Sequence, residues 1–195
     1  MTAINSIAIF GGSFDPFHNG HLRLISLLTS SQRFSKILVV PAGDPWQKKP
    51  SASAHDRFEM TARALHELKV EVSSCEARRE GPSYAIDTAR EIAQVHKGST
   101  LTWVVGSDAF AHVETWKDFE DLISLVDFLV IVRPGSTIDQ NKVNKKIKWS
   151  ALEIGALDIS STQVRSAIQH GDEFSTLVPP QVADYIKEKG LYGAA

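Results

Sequence analysis

The sequence predicts an α/β fold with a doubly wound, mostly parallel sheet, helices on both faces and a small C-terminal helical segment. Three observations predict it. Short apolar strand patterns alternate with amphipathic helical patterns, which favours parallel strands joined by right-handed crossovers. The first strand pattern, Ile7–Phe10, runs into a glycine pair, Gly11-Gly12, and then into a helical pattern. The 195 residues are 43% hydrophobic, enough for one domain with a real core. Residues 1–195 therefore read as a single domain, its C-terminal helical part starting near residue 160.

The elements follow in order. After the Ile7–Phe10 strand comes an amphipathic helix, Leu22 to Leu28, and then the strand Ile37–Val40, closed by Pro41. A polar, proline-rich loop, Ala42 to Ser53, follows, and with Pro41 it has the composition of a mobile lid over Pro41–Ser53. It leads to a helical pattern from Ala54 to His66 and a short strand, Val70–Ser73. Beyond the loop Arg78–Pro82, Ser83 is placed to cap a helix holding Ile86, Ala89 and Ile92. Leu101–Val105 reads as a buried strand ending at Gly106-Ser107-Asp108, Asp118–Leu125 as a helix, and Phe128–Val132 as a strand stopped by Arg133-Pro134-Gly135. A helix over Ile138–Ile147 and a sixth strand over Ala151–Leu157 come next. Helices near Ser161–His170 and Gln181–Lys189 finish the chain, the last ended by Gly190. The order is Rossmann-like. Neither an internal repeat nor a linker divides it.

Composition narrows the partners. A net charge of −2 gives no general pull toward nucleic acid or an anionic membrane. The basic run Lys142–Lys148 reads as a solvated helix face in preference to a binding arm. A single cysteine, Cys75, excludes an internal disulfide and fits a reducing cytoplasm. No signal-peptide pattern opens the sequence, and the apolar run Phe128–Val132 is far too short to span a bilayer. A soluble, cytoplasmic protein is expected, and a homo-oligomer is compatible with the sequence.

In doubly wound sheets ligands bind outside the carboxyl ends of the strands. Gly11–His21, Pro41–Lys49, Gly106–Asp108 and Arg133–Gly135 lie at those ends. Gly11 and Gly12 let backbone N–H groups approach an anion with no Cβ in the way. His18 and His21, three residues apart, share one face of a first helical turn, at the positive end of the helix dipole. That suits a polyphosphate. The bland alternative is a glycine turn with two surface histidines, which the placement between strand and helix disfavours. A second cluster is Ser160-Ser161-Thr162-Gln163-Val164-Arg165. Ser160 with Gln163 is a capping-box pattern, while the hydroxyls and Arg165 one turn in would also cradle an anion. Two such helix starts suggest a triphosphate held between them.

Gly-Gly-Ser-Phe-Asp-Pro-x-His-x-Gly-His, with the later Ser-Ser-Thr-x-x-Arg, resembles the nucleotidyltransferase superfamily of adenylyl and cytidylyl transferases. More narrowly, the chain is similar to the bacterial nicotinate-mononucleotide adenylyltransferases. The segments carrying this likeness are Arg79–Tyr84, Gly106-Ser107-Asp108, Thr115-Trp116, Arg133-Pro134-Gly135 and Gly190-Leu191-Tyr192, in family order over nearly the whole chain. The resemblance implies that ATP and nicotinate mononucleotide give nicotinate adenine dinucleotide and pyrophosphate, a step of NAD biosynthesis. It implies catalytic roles for His18, His21, Thr162 and Arg165, with Ser161 joining the last two on the β- and γ-phosphates. ATP contacts are implied for Gly11, Gly12, Ser13, Phe14, Gly106, Asp108, Ser160 and Ser161. Contacts to nicotinate mononucleotide are implied for Lys48, Tyr84, Ala85, Trp116, Lys117 and Arg133. Mg²⁺ would arrive with ATP, bound by substrate oxygens and water, which needs no carboxylate cage.

Several of these residues keep a second reading. Asp108 would accept hydrogen bonds from a ribose, or serve as a helix N-cap. Trp116, between Glu114 and Lys117, would stack on the pyridine ring beside Tyr84, or pack in the core. Arg133 would meet a substrate phosphate or form an ion pair. Trp103 reads as core. Pro41-Ala42, Pro45-Trp46-Gln47-Lys48, Ala85 and Lys117 depart from the family pattern, and all surround the expected pyridine end. Backbone N–H groups near Ala85 and Lys117 could still read a carboxylate. Three alternatives stand beside the main one. They are the same chemistry on nicotinamide mononucleotide, transfer to an acceptor such as phosphopantetheine (against which His18 and Trp116 argue), and a non-catalytic nucleotide-binding module.

Overall fold

A computed structural model describes residues 5–47, 49–132, 135, 137–155 and 159–194. Its strands are β1 (Ser6–Gly12), β2 (Lys36–Pro41), β3 (Asp44–Pro45), β4 (Glu71–Val72), β5 (Pro82–Ser83), β6 (Thr100–Gly106), β7 (Val126–Val132) and β8 (Trp149–Glu153). The helices are α1 (Asn19–Ser30), α2 (Ala54–Leu65), α3 (Cys75–Arg78), α4 (Ala85–Val95), α5 (Ser107–Phe110), α6 (Phe119–Leu125), α7 (Ser161–His170) and α8 (Pro180–Lys189). The main sheet has the order β4-β2-β1-β6-β7-β8, and every pairing in it is parallel. Strand order therefore reverses between β1 and β6, where a doubly wound fold opens a crevice for ligand. Gly11-Gly12 and Gly106 end those two strands.

Side chains alternate across the strands, so each apolar run feeds two cores. Ile7, Ile9, Trp103, Val105 and Val130 meet Ile86, Ala89 and Ile92 of α4 on one face. Ala8, Phe10, Val39, Val104 and Leu129 meet Leu24, Ile25 and Leu28 of α1 on the other. A third cluster joins Met60 of α2 to Val164 and Ile168 of α7 and to Val182 and Ile186 of α8. The C-terminal helices thus dock on α2, and Tyr185 ties them there with a 2.9 Å hydrogen bond to Asp56. Burial and that bond to Asp56 push the Tyr185 hydroxyl up to about 12.

The doubly wound parallel sheet is the one expected, with four local corrections. Residues 138–147 form no α-helix, only a 3-10 turn at Gln140–Lys142. Asp139 and Asn144 accept side-chain hydrogen bonds from the N–H groups of Asn141 and Lys146, turning the backbone away from a helix. The run from Lys142 to Lys148 is accordingly not a helix face, and Lys146 pairs with Glu120 at 3.1 Å. Ser83 does not cap α4: it lies in β5, its Oγ accepts from the N–H groups of Gly43 and Asp44, and Tyr84 holds the cap position. The last strand is Trp149–Glu153, earlier than expected; Leu157 lies outside the described residues.

Candidate active site

The turn after β1 is shaped by contacts that leave no room for side chains. A Cβ at Gly12 would come within 2.9 Å of the Phe14 ring, and one at Gly20 within 2.9 Å of the His18 imidazole. Phe14 itself takes a left-handed φ of 48°. His18 sits at the N-cap of α1 and is buried, while His21 lies one turn in. The His18 N–H donates to Nδ1 of His21 at 3.2 Å, and the two rings stack at 3.6 Å. In a neutral imidazole this fixes the tautomer, with Nδ1 accepting and Nε2 carrying the proton. Phe14 and Phe17 wall the His21 ring at 4.9 and 5.2 Å.

Across from α1, helix α7 begins with a closed capping box. Ser160 Oγ accepts from the Gln163 N–H at 3.2 Å, and Gln163 Oε1 accepts from the Ser160 N–H at 2.7 Å. The cap engages only the Gln163 N–H, leaving those of Ser161 and Thr162 out of it. Ser161 Oγ donates to the Pro16 carbonyl at 3.0 Å, docking α7 on the first turn. Arg165 reaches the Asp15 carbonyl at 2.6 Å and Thr162 Oγ1 at 3.4 Å. His18, His21, Thr162 and Arg165 all line one cavity of about 380 Å³. Gly11, Gly12, Ser13, Phe14, Gly106, Ser160 and Ser161 complete much of its wall. Lys49 also lines it, a cation that ends the expected Pro41–Lys49 site segment but was given no role of its own there.

A second cavity of about 270 Å³ shares Phe10 through Ser13 and Gly106 with the first. Both therefore border the ends of β1 and β6. Tyr84, Ala85, Trp116 and Lys117 line it, together with Trp46, Trp103 and Glu76. Trp103 is buried as expected, yet it also floors this cavity, edge-on to Trp116 at 6.4 Å. Trp116 is half-buried, and its indole Nε1 has no hydrogen-bond partner among the described residues. The start of α4, at Ala85, has no side-chain cap. Lys117 Nζ lies 4.6 Å from the centre of the Tyr84 ring and 3.1 Å from Asp87. Glu76, a further residue the sequence reading missed, is buried here; burial pushes its carboxyl up against the opposing hydrogen bonds from Thr88 and Ser83.

Not every expected residue gathers here. Asp108 is exposed in the first turn of α5, lines neither cavity and is not the N-cap, a position held by Gly106. Lys48 and Arg133 lie outside the described residues. Among the described residues, no cluster of three or more His, Cys, Asp or Glu could hold a metal ion, and no helix is long and apolar enough to cross a membrane.

A Rossmann-type sheet with the histidine-bearing start of α1 and the hydroxyl- and arginine-bearing start of α7 lining one cavity at its switch point has the architecture of a nucleotidyltransferase. Comparison with known proteins agrees. The cytidylyltransferase-like family model matches residues 9–167. A relative from Streptomyces coelicolor, described as a probable nicotinate-nucleotide adenylyltransferase, is 38% identical, covering 93% of this chain and 98% of its own. One from Acidothermus cellulolyticus with the same description is 36% identical, covering 95% and 93%. A solved Plasmodium falciparum nicotinic acid mononucleotide adenylyltransferase, complexed with NaAD, shares the fold at a TM-score of 0.85 and 23% identity, covering 98% of each chain. The chain belongs to the cytidylyltransferase-like family, among the nicotinate-nucleotide adenylyltransferases.

Proposed function

We infer that the protein transfers the adenylyl group of ATP to nicotinate mononucleotide, releasing pyrophosphate and forming nicotinate adenine dinucleotide. One observation carries the reading: a cavity lined by histidine, hydroxyl and arginine groups shares the wall from Phe10 to Ser13 with an aromatic one that takes in the uncapped start of α4. The attacking group is a phosphate oxygen, already ionised at neutral pH, so no strong general base is required. Rate enhancement then comes from aligning two anions and stabilising the charge that develops on the α-phosphate and the leaving pyrophosphate. His18 and His21 are assigned to the α- and β-phosphates as donors, and Ser161, Thr162 and Arg165 to the β- and γ-phosphates. Gly11, Gly12, Ser13 and Phe14 would pass backbone along the nucleotide.

Magnesium would enter as part of Mg·ATP, coordinated by phosphate oxygens and water. The donor set fits this. Among the described residues, the one carboxylate lining the phosphate cavity, Asp15, already accepts from Ser51, Ala52 and Tyr192. On the acceptor side, Trp116 and Tyr84 offer ring faces to a pyridine. The N–H groups at Ala85, with Lys117 beside them, favour an acid over an amide.

The test is pyrophosphate release from Mg·ATP with each mononucleotide, run beside His21→Ala. Strong turnover with nicotinate mononucleotide, weak turnover with the amide and collapse in the variant are expected. Turnover with the amide alone would overturn the acceptor, and silence with both would point to another phosphate acceptor or to a nucleotide-binding module.

A further inference from the structure

Asp15 has no role in the mechanism above, yet it is only 5% exposed and joins three distant parts of the chain. Its Oδ2 accepts from the Ser51 N–H at 2.8 Å, and its Oδ1 from the Ala52 N–H at 3.0 Å. The same Oδ1 accepts from the Tyr192 hydroxyl at 2.8 Å, a contact across 177 residues. Arg165 closes the group, with Nη1 at 2.6 Å from the Asp15 carbonyl and 3.8 Å from Oδ2.

The surroundings hold this arrangement firmly. Arg57, 1% exposed, donates to the carbonyls of Ser13, Gly43 and Ala52 at 2.8, 2.7 and 3.3 Å, fixing both loops that meet at Asp15. Tyr192 has a φ of 61° inside the 3-10 turn Leu191–Gly193, a left-handed conformation that a side-chain-bearing residue keeps only where its contacts demand it. Burial and the neighbouring Asp15 carboxylate push the Tyr192 hydroxyl above the ordinary tyrosine range, so it stays a donor at any working pH.

We propose that Asp15 and Tyr192 are positioning residues for Arg165, so that the C-terminal turn is part of the apparatus that holds the ATP phosphates. An arginine has many rotamers, and a guanidinium held in place before the nucleotide arrives loses less freedom on binding it. One Nη1 bond goes to the Asp15 carbonyl and the carboxylate lies behind it. Arg165 also lines the cavity that the other phosphate-binding residues share. The proposal rests on the role given to Arg165 above, and not on which mononucleotide is the acceptor.

The experiment measures Mg·ATP affinity by calorimetry without acceptor, and kcat and KM with both substrates. The full chain is compared with Tyr192→Phe, Asp15→Asn and Arg165→Ala, and each of the first two is also combined with the third. Loss of the carboxylate charge beside Arg165 predicts an affinity for Mg·ATP about tenfold weaker in Asp15→Asn, and loss of the hydrogen bond to that carboxylate one about threefold weaker in Tyr192→Phe, with the acceptor KM unchanged. Both effects should vanish in the Arg165→Ala background. Equal losses in that background, a loss confined to the acceptor KM, or wild-type affinity in Tyr192→Phe would overturn the proposal. Unchanged affinity in Arg165→Ala alone would remove its ground. If Asp15→Asn does not fold, Tyr192→Phe decides. Wild-type chain that binds Mg·ATP but turns over neither mononucleotide would sink the acceptor assignment, while the affinity comparison still decides the positioning claim.

Discussion

The two halves of the cleft are built on opposite principles. On the phosphate side several polar side chains are tied down in advance: His21 by the His18 N–H, Ser160 by Gln163, Arg165 by Asp15 and Thr162. On the acceptor side, Trp116 Nε1 has no partner among the described residues, α4 starts without a side-chain cap, and Lys117 lies exposed against Tyr84 and Asp87. The difference follows from the chemistry. Charge that develops in a transition state is stabilised by donors already in place, whereas a planar ring needs flat apolar surface and a few backbone N–H groups. Backbone donors do not depend on side-chain identity, so the acceptor side can carry Ala85 and Lys117 and still bind an acid.

Four substitutions would break or sharpen this contrast. The largest effect belongs to His21→Ala, which should lower kcat by about 10²–10³ in steady-state assays with little change in the acceptor KM. A drop smaller than tenfold would mean that the donors are not preorganised as described. Trp116→Ala should act on the other half, raising the KM for nicotinate mononucleotide about tenfold while Mg·ATP affinity stays put. Equal damage to both substrates would erase the division between the cavities.

Lys117→Ala should narrow the acid-over-amide preference, read as the ratio of kcat/KM values, by only about threefold. The cation is exposed and partly spent on Asp87, and the effect should shrink further at high salt. An unchanged ratio would leave the N–H groups of α4 as the whole of the selectivity. The smallest effect is expected for Glu76→Gln beneath the acceptor cavity. Burial raises its carboxyl above the ordinary 4.5, so the folded protein holds that proton more tightly than the unfolded chain. Its contribution to stability is therefore full below 4.5 and is lost as pH rises through the folded value. The glutamine variant should have a flatter Tm profile as pH rises above 4.5, and a Tm at or above wild type once the wild-type carboxyl is ionised. A parallel profile would show that Glu76 does not titrate across this window.

The contrast also explains what could be read from the chain. Ile7–Phe10 and Leu101–Val105 were legible because both faces of a parallel sheet are covered, leaving uninterrupted apolar runs. His18, His21 and the Ser160–Arg165 stretch were legible because helix geometry brings close spacings together, and they line one cavity. Residues 138–147 misled because Ile138, Val143 and Ile147 resemble a helical face, while Asp139 and Asn144 divert the backbone locally. Asp15 and Tyr192 lie in stretches that carried the family likeness, yet nothing there paired them with each other or with Arg165, and Arg57 gave no signal of its own. Their partners are distant, and a buried arginine held by three carbonyls looks in sequence like any exposed helical arginine.

The central claim is adenylyl transfer to the acid mononucleotide at a preorganised phosphate site. It is tested most directly by competition: Mg·ATP with equal nicotinate and nicotinamide mononucleotides, the dinucleotide products separated and weighed by mass spectrometry, for wild type and His21→Ala. The account predicts nicotinate adenine dinucleotide in large excess from the wild type and almost no dinucleotide from the variant. A product mixture dominated by the amide dinucleotide, or undiminished product from His21→Ala, would contradict it.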